Sequence, residues 1–215
     1  MKNLLIKELR LTLHPTAIIF IALSLMLIIP NYPYYVIFFY TGLGVFFTCL
    51  NGRENNDVFF TMLLPVNKKD IVTARFLLIV ILEILQAITA VPFAILRQGF
   101  TLPGNQVGMD ANIAFFGLSF AMLGIFNFIF FTGYYKDVTK VGKPFVKGSA
   151  AVFVYMSIME TLVHIVPFMR DKLDTPDTQF VKEKLIILAA GLIVFSVLTL
   201  CAYKKSVKSF LKQDI

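Results

Sequence analysis

Long stretches without charged side chains recur along the chain and are separated by short polar segments. A stretch of roughly 20 apolar residues matches a helix that crosses the hydrocarbon core of a bilayer. The pattern predicts six such spans, over residues 11–29, 33–50, 71–96, 111–133, 148–168 and 185–202. We therefore expect an all-α integral membrane protein that forms a single transmembrane domain with six transmembrane helices.

Two short segments add local expectations. The first two spans are separated only by residues 30–33, Pro-Asn-Tyr-Pro, and this predicts a tight hairpin because proline ends one helix and readily begins the next. Ahead of the first span, residues 2–13 carry leucines at helical spacing and charged residues mostly elsewhere. This pattern predicts an amphipathic helix in the headgroup plane that turns into the first span near residues 14–15.

Composition and charge favour a membrane protein. Of the 215 residues, 58% are hydrophobic and only 15% are charged, too few charges to cover a soluble globule of this size. A net charge of +7 would suggest a nucleic-acid partner in a soluble chain. Here, however, 15 of the 20 Lys and Arg residues fall on one side of the predicted spans. By the positive-inside rule, both termini are expected to be cytoplasmic, with lipid and no nucleic acid as partners.

Enzyme motifs are not found in the sequence. Six spans use most of the chain, so we expect no fused ATPase or soluble sensor domain. Cys49, Cys201, His14 and His164 do not show the spacing of a zinc, haem or iron–sulfur site. The Gly-Lys-Pro of residues 142–144 lacks the spacing of a phosphate-binding loop. We therefore expect no catalytic residue, no metal and no cofactor bound by this chain.

Polar residues within the third and fourth spans are the first candidate site residues. At 100° per residue, one face of the third span combines polar and small side chains, which should meet protein or water and not lipid. This face comprises Phe76, Glu83, Gln86, Ala87, Ala90, Ala94 and Arg97. Asn127 of the fourth span is expected to hydrogen-bond to another helix. Glu83 is interpreted either as part of a transport pathway or as a contact that holds helices together.

The fifth span contains a second ionisable pair, Glu160 and His164. They share a helical face with Ser149, Phe153 and Ser157, and their four-residue separation allows a hydrogen bond or a shared proton. A buried charge costs about as much as the apolar residues of this span contribute to insertion. We therefore expect Glu160 to face other helices or to be protonated, or the helix to be broken near it. A transport pathway and a helix or dimer interface are both compatible with this pair.

Residues 51–70 form the most informative loop. A polar opening is followed by an apolar block that is too short to span a membrane, and then by Pro65. Its candidate residues are Arg53, Glu54, Asp57, Phe59, Phe60, Met62, Leu63 and Leu64. The block either dips into the membrane interface or forms a short helix that inserts into a groove of a cytoplasmic partner. Asn67 with Asp70 resembles a helix start, so the third span should begin at Lys68.

Several of these segments together resemble a known family. The amphipathic start with Lys-Glu-Leu-Arg at 7–10, the first hairpin, and above all the stretch MLLPVNKKDIVTAR at 62–75 resemble permease subunits of type-2 ATP-binding-cassette (ABC) exporters. The likeness is greatest to small bacterial peptide-export and immunity permeases, such as exporters of phenol-soluble modulins. The resemblance implies that residues 53–64 form a coupling helix that contacts a separate ATPase subunit.

The resemblance also implies an assembly and an activity. Two permease subunits and two cytoplasmic ABC ATPase subunits would form the exporter in the bacterial plasma membrane, with ATP and Mg on the ATPases. This chain would be the permease and not an enzyme, and its cargo would be an amphipathic or antimicrobial peptide or another lipophilic molecule. Two other classes stay open: a proton-coupled secondary transporter that uses Glu83 and Glu160, and a membrane-embedded enzyme that uses Glu160 and His164. The enzyme lacks a third metal ligand.

Overall fold

The computed structural model describes residues 1–99 and 104–213, and every regular element in this part of the chain is helical. Five helices are long and apolar enough to cross a membrane: α3 (Tyr35–Glu54), α5 (Lys68–Gly99), α6 (Ile113–Tyr134), α7 (Gly142–Ile165) and α8 (Val181–Phe210). A bent helical pair at the N-terminus is the candidate for a sixth crossing. The predicted all-α integral membrane fold is confirmed.

The N-terminal segment is bent as the sequence predicts. Helix α1 (Lys2–Lys7) continues as a π-helical turn over Glu8–Thr12, and the chain then bends by 82° into α2 (Pro15–Ala22). The ring Nδ1 of His14 accepts a hydrogen bond from the Thr16 amide at 3.3 Å, and Pro15 occupies the first turn, where its missing N–H costs nothing. The helix after the bend, α2, therefore begins at Pro15, four residues after the predicted start of the first span.

Helix α2 ends in a tighter winding before the hairpin. Residues Leu23–Ile28 form a 3₁₀ segment, and Asn31 adopts a φ of 54°, a conformation that asparagine tolerates better than most residues. With about 1.5 Å of rise per α-helical residue and about 2.0 Å per 3₁₀ residue, Pro15–Ile28 extends over roughly 24 Å. The 3₁₀ winding thus lets fourteen residues approach the thickness of the hydrocarbon core. The tight hairpin is confirmed.

The other five helices cover most of each predicted apolar stretch, although α3, α6 and α7 each leave out two or three residues at one end, and all five extend beyond the stretch at another end. Helix α5 begins at Lys68, as the Asn67–Asp70 pattern predicts, and the Nδ2 of Asn67 donates to Asp70 at 3.3 Å. Helix α8 continues to Phe210, eight residues past the predicted end of its span. Helix α7 passes through Glu160 without a break but stops at Ile165, three residues early, because Pro167 cannot continue it.

Helix α6 lies at the centre of the bundle and packs against α3, α7 and α8. Its aromatic side chains form a continuous buried stack, in which the rings of Phe126 and Phe130 lie 5.3 Å apart. Its contact with α8 is made at the level of the backbone. A Cβ added to Gly191 would lie 1.9 Å from the carbonyl oxygen of Gly117, and one added to Gly124 would lie 2.8 Å from the Cα of Phe195. These glycines let the two helices approach more closely than any larger residue permits.

Buried polar groups fasten the loops at the end of the bundle opposite α1. The fully buried Lys184 donates from its Nζ to the carbonyl oxygens of Thr175 (2.5 Å) and Pro176 (2.7 Å). The Asp174 carboxylate accepts a hydrogen bond from the Asp110 amide at 2.8 Å, and burial raises the pKa of Asp174 to about 6. The loops at this end are therefore held as one packed layer.

Replacing Gly191 by alanine should strongly destabilise the protein. The added methyl group would overlap the backbone of α6, which cannot rotate away, so α6 and α8 would separate at a cost of about 3 kcal/mol or more. Gly142→Ala is the matched control, because a Cβ at Gly142 meets no atom within 4 Å. Thermal unfolding of the purified proteins in detergent compares the two, and equal melting temperatures would contradict the backbone contact.

Candidate functional site

A short helix between α3 and α5 exposes large apolar side chains. Helix α4 (Asp57–Met62) follows Asn56, whose φ of 49° turns the chain out of α3. One face of α4 is buried through Val58 and Thr61. The opposite side leaves Phe59 and Phe60 exposed by 48% and 60%, and Leu63 and Leu64, which directly follow α4, are exposed by 69% and 55%. The predicted apolar block is thus an amphipathic helix whose apolar residues face outward.

An open groove of about 760 Å³ lies between α4 and the N-terminal helix. Its apolar lining includes Leu4 and Leu11 on one side and Phe60, Leu63 and Leu64 on the other. This groove offers a recess with large apolar walls next to an exposed helix, which is a common form of recognition site for a partner helix.

Four charged side chains lie together at the start of α4 and are here called the charge cluster: Glu8 and Arg75, which are buried, and Lys7 and Asp57, which are partly buried. The guanidinium of Arg75, 2% exposed, donates to both carboxylate oxygens of Glu8 and, at 2.8 Å, to Asp57. Lys7 forms ion pairs with the same two carboxylates, and its Nζ lies 3.0 Å from Glu8. Two positive and two negative charges are thus enclosed together, and they join the N-terminal helix, α4 and α5.

The cluster is stable because each charge is matched. Burial alone would raise the pKa of the Glu8 carboxyl, but the charges and hydrogen bonds of Arg75 and Lys7 outweigh it and hold that pKa below its ordinary value. Gly52 of α3 packs directly against the guanidinium, since a Cβ there would lie 3.4 Å from both terminal nitrogens of Arg75. Buried charges are tolerated where such pairing is complete.

Three members of the charge cluster were not predicted as site residues. Lys7, Glu8 and Arg75 entered the sequence analysis only through the family resemblance. Arg75 nevertheless shares a buried face of α5 with Val72 and Ile79, and an arginine on an apolar stripe requires a partner. The packing of the N-terminal helix also differs from what its leucine spacing predicts. Its buried residues are Glu8 and Thr12, whereas Leu9 is exposed.

The polar candidates of α5 and α6 lie together inside the bundle. All seven residues of the predicted α5 face are buried, as expected. Asn127 donates from Nδ2 to Glu83 at 3.1 Å, and Gln86 donates to Ser24 of the 3₁₀ segment at 2.7 Å. Glu83, Gln86 and Asn127 are therefore enclosed between helices.

The remaining candidates lie elsewhere. Arg53 and Glu54 form an exposed ion pair at the end of α3, beside α4. Glu160 and His164 lie near the opposite end of α7, where Gly108 of a loop approaches so closely that a Cβ would lie 2.9 Å from the Cγ of Glu160. Glu160 is half-buried and His164 is exposed. In the described part of the chain no hydrogen bond joins the two residues, although their separation allows one.

The helices define the class of the molecule as a multi-pass membrane protein. The family model described as "ABC-2 family transporter protein" matches residues 3–211, and the chain therefore belongs to this family. It is a permease subunit of an ABC transporter, a transport component that is not itself catalytic, and the family implies an ABC ATPase as its partner. Comparisons with curated proteins and with solved structures gave no match.

Replacing Glu8 by glutamine should destabilise the protein at neutral pH by about 3 kcal/mol. This value is the lower end of the cost of breaking a buried ion pair, because Arg75 would still be paired with Asp57. The pKa of folded Glu8 lies below its ordinary value of 4.5, so the charge stabilises the fold above pH 4.5. This contribution is lost as the pH falls through the lower pKa of the folded protein. The difference between the unaltered chain and Glu8→Gln should therefore shrink in acid, as measured by thermal unfolding.

Glu54→Gln provides the control, because Glu54 pairs with Arg53 at the surface, where an ion pair contributes at most about 1 kcal/mol. A pH-independent effect of Glu8→Gln, or an effect no larger than that of Glu54→Gln, would show that the cluster does not stabilise the fold through charge.

Proposed function

We propose that this chain is the membrane-spanning permease of an ATP-driven exporter and that α4 is the helix on which the ABC ATPase docks. The exposure of Phe59 and Phe60 on α4, and of Leu63 and Leu64 directly after it, carries this proposal. Four large apolar side chains on one short helix and the turn that follows it are typical of a surface that a partner covers, since aromatic and aliphatic anchors in a pocket dominate such interfaces. ATP and Mg would be held by the ATPase.

The charge cluster supports a mechanical role for α4. Asp57 begins α4 and is bonded to Arg75 of α5 and to Lys7 of the N-terminal helix. A displacement of α4 by a bound ATPase would therefore be passed to both elements, because buried, fully paired groups do not separate without a large cost. ATP binding would in this way move the base of α5, and through it the bundle, between inward and outward access.

The distribution of charge supports docking of the ATPase on the cytoplasmic side of the membrane. Fifteen of the 20 Lys and Arg residues lie in the segments at the end of the bundle that carries α4. Under the positive-inside rule that end is cytoplasmic, as are both termini. The ATPase would thus meet α4 in the cytoplasm of a bacterial cell, with the permease in its plasma membrane.

A second permease subunit would cover the outward face of α7. This face is exposed and carries Ser157 and His164, with Glu160 half-buried beside them. Polar and ionisable groups are expensive against lipid, so they favour contact with another subunit or with a shared cavity. Two permeases and two ATPases would complete the exporter.

The same face suits an amphipathic or lipophilic cargo, such as a peptide. Phe153 is 49% exposed beside the polar groups, so the wall of a cavity formed there would offer both apolar and polar contacts. The resemblance of the stretch at residues 62–75 to small peptide-export permeases supports the same class of cargo.

Replacing Phe59, Phe60 and Leu63 together by aspartate should abolish docking of the ATPase. Truncating one interface anchor costs about 2 kcal/mol or more, so three charges on this face should weaken binding by well over tenfold. The measurement is copurification of the partner ABC ATPase when it is coexpressed with this chain, together with its ATP hydrolysis.

The conservative changes Phe59→Leu and Phe60→Leu are the matched control and should retain the ATPase, since they keep the surface apolar. Because the altered side chains are exposed, the permease alone should melt at an unchanged temperature. Undiminished copurification of the triple aspartate variant would rule out docking on α4.

Cysteine placed at Ser157 should cross-link two permease subunits. In a Cys201→Ser background, which removes the exposed native thiol, mild oxidation of membranes should give a covalent dimer for Ser157→Cys. Ile193→Cys on α8 is the control, since Ile193 is 63% exposed on an apolar face that would contact lipid. A dimer formed through Ile193 and not through Ser157, seen on a non-reducing gel, would place the subunit interface on α8 and not on α7.

A further inference from the structure

Three helices meet at a polar node in the interior of the bundle, formed by Glu83 of α5, Asn127 of α6 and Thr199 of α8. The Nδ2 of Asn127 donates one hydrogen to Glu83 Oε2 at 3.1 Å and the other to Thr199 Oγ1 at 3.2 Å. Glu83 and Asn127 are fully buried, and Thr199 is nearly so. The exporter function proposed above assigns no step to this node.

The polar node contains more buried acceptors than its hydrogen bonds satisfy. Glu83 Oε1 and Asn127 Oδ1 are both buried and have no bonding partner. Both amide hydrogens of Asn127 are already used, and an ionised carboxylate has none to give. Two buried acceptors therefore lie in the node without a bonded donor, a costly condition for groups removed from solvent. One proton on the Glu83 carboxyl group corrects this, because it turns an orphaned acceptor into a donor for Asn127 Oδ1.

The charge balance leads to the same conclusion. Among the described residues, no Lys, Arg or His side chain forms an ion pair with Glu83, in contrast to Glu8 and Asp57 of the charge cluster. An unpaired carboxylate in the interior of a membrane-spanning bundle is strongly disfavoured, whereas the neutral acid is a good hydrogen-bonding group.

We propose that Glu83 is a proton-binding site that retains its proton at neutral pH and, as a neutral acid, bonds Asn127 through both of its oxygens. The acid–amide pair, with Thr199 as the third member, joins α5, α6 and α8 into one block. These helices then behave as one structural unit. This inference goes beyond the exporter function and does not depend on it.

The test compares Glu83→Gln with Glu83→Ala in the full chain, purified in detergent. Glutamine keeps the shape and supplies the missing donor permanently, so Glu83→Gln should melt at the temperature of the unaltered chain. Glu83→Ala should melt at a lower temperature, because it leaves Asn127 without its partner. The infrared difference spectrum between the unaltered chain and Glu83→Gln at neutral pH should show the loss of one carbonyl band of a protonated carboxylic acid.

Two outcomes would overturn the proposal. A difference spectrum that shows the loss of an ionised carboxylate would mean that a trapped water or a cation supplies the missing partner. A Glu83→Gln variant that melts as low as Glu83→Ala would mean that the negative charge itself is required. Neither measurement involves the ATPase, so failure here leaves the docking of α4 unaffected, and failure of docking leaves the proton site unaffected.

Discussion

The interior of a bilayer offers no water to a polar side chain, so each such group must find its partner within the protein. This chain meets that requirement in two ways. In the charge cluster, two cations offset two carboxylates, and full charge is kept at the end of the helices. At the polar node, one carboxyl group accepts a hydrogen bond from an amide, which also donates to a hydroxyl. Both arrangements join elements that are distant in sequence, so both fix the tertiary structure as well as satisfying their members.

Helix α5 belongs to both arrangements. Arg75 and Glu83 are eight residues apart, which is about 12 Å along an α-helix. A rigid helical segment therefore connects the base of α4 with the contact between α6 and α8. The glycine contacts make the pairing of α6 with α8 rigid, because helices packed at backbone distance cannot slide past each other without a clash. Motion that begins at α4 would thus reach the centre of the bundle through α5.

Much of the fold was predictable because the bilayer sets the length of each apolar stretch. The buried face of α5, from Phe76 to Arg97, followed from helical periodicity, and the start of α5 followed from Asn67 and Asp70. The continuation of α8 to Phe210 was not predictable, because charged helical turns beyond the membrane do not form an apolar stretch. The charge cluster was also missed, because Glu8 and Arg75 are 67 residues apart and only tertiary packing brings them together. The early end of α7 was encoded in Pro167, a local signal that a search for apolar stretches overlooks.

The 3₁₀ winding of Leu23–Ile28 makes α2 an element of adjustable length. A 3₁₀ residue rises about 0.5 Å more than an α-helical one, so rewinding six residues would shorten α2 by roughly 3 Å. The hairpin that follows Ile28 and the N-terminal helix that precedes Pro15 would then be drawn together. Ser24 within this segment accepts a hydrogen bond from Gln86 of α5, so such a change in length would act directly on α5. A change in the winding of Leu23–Ile28 would therefore alter both the length of the Pro15–Ile28 segment and its contact with α5.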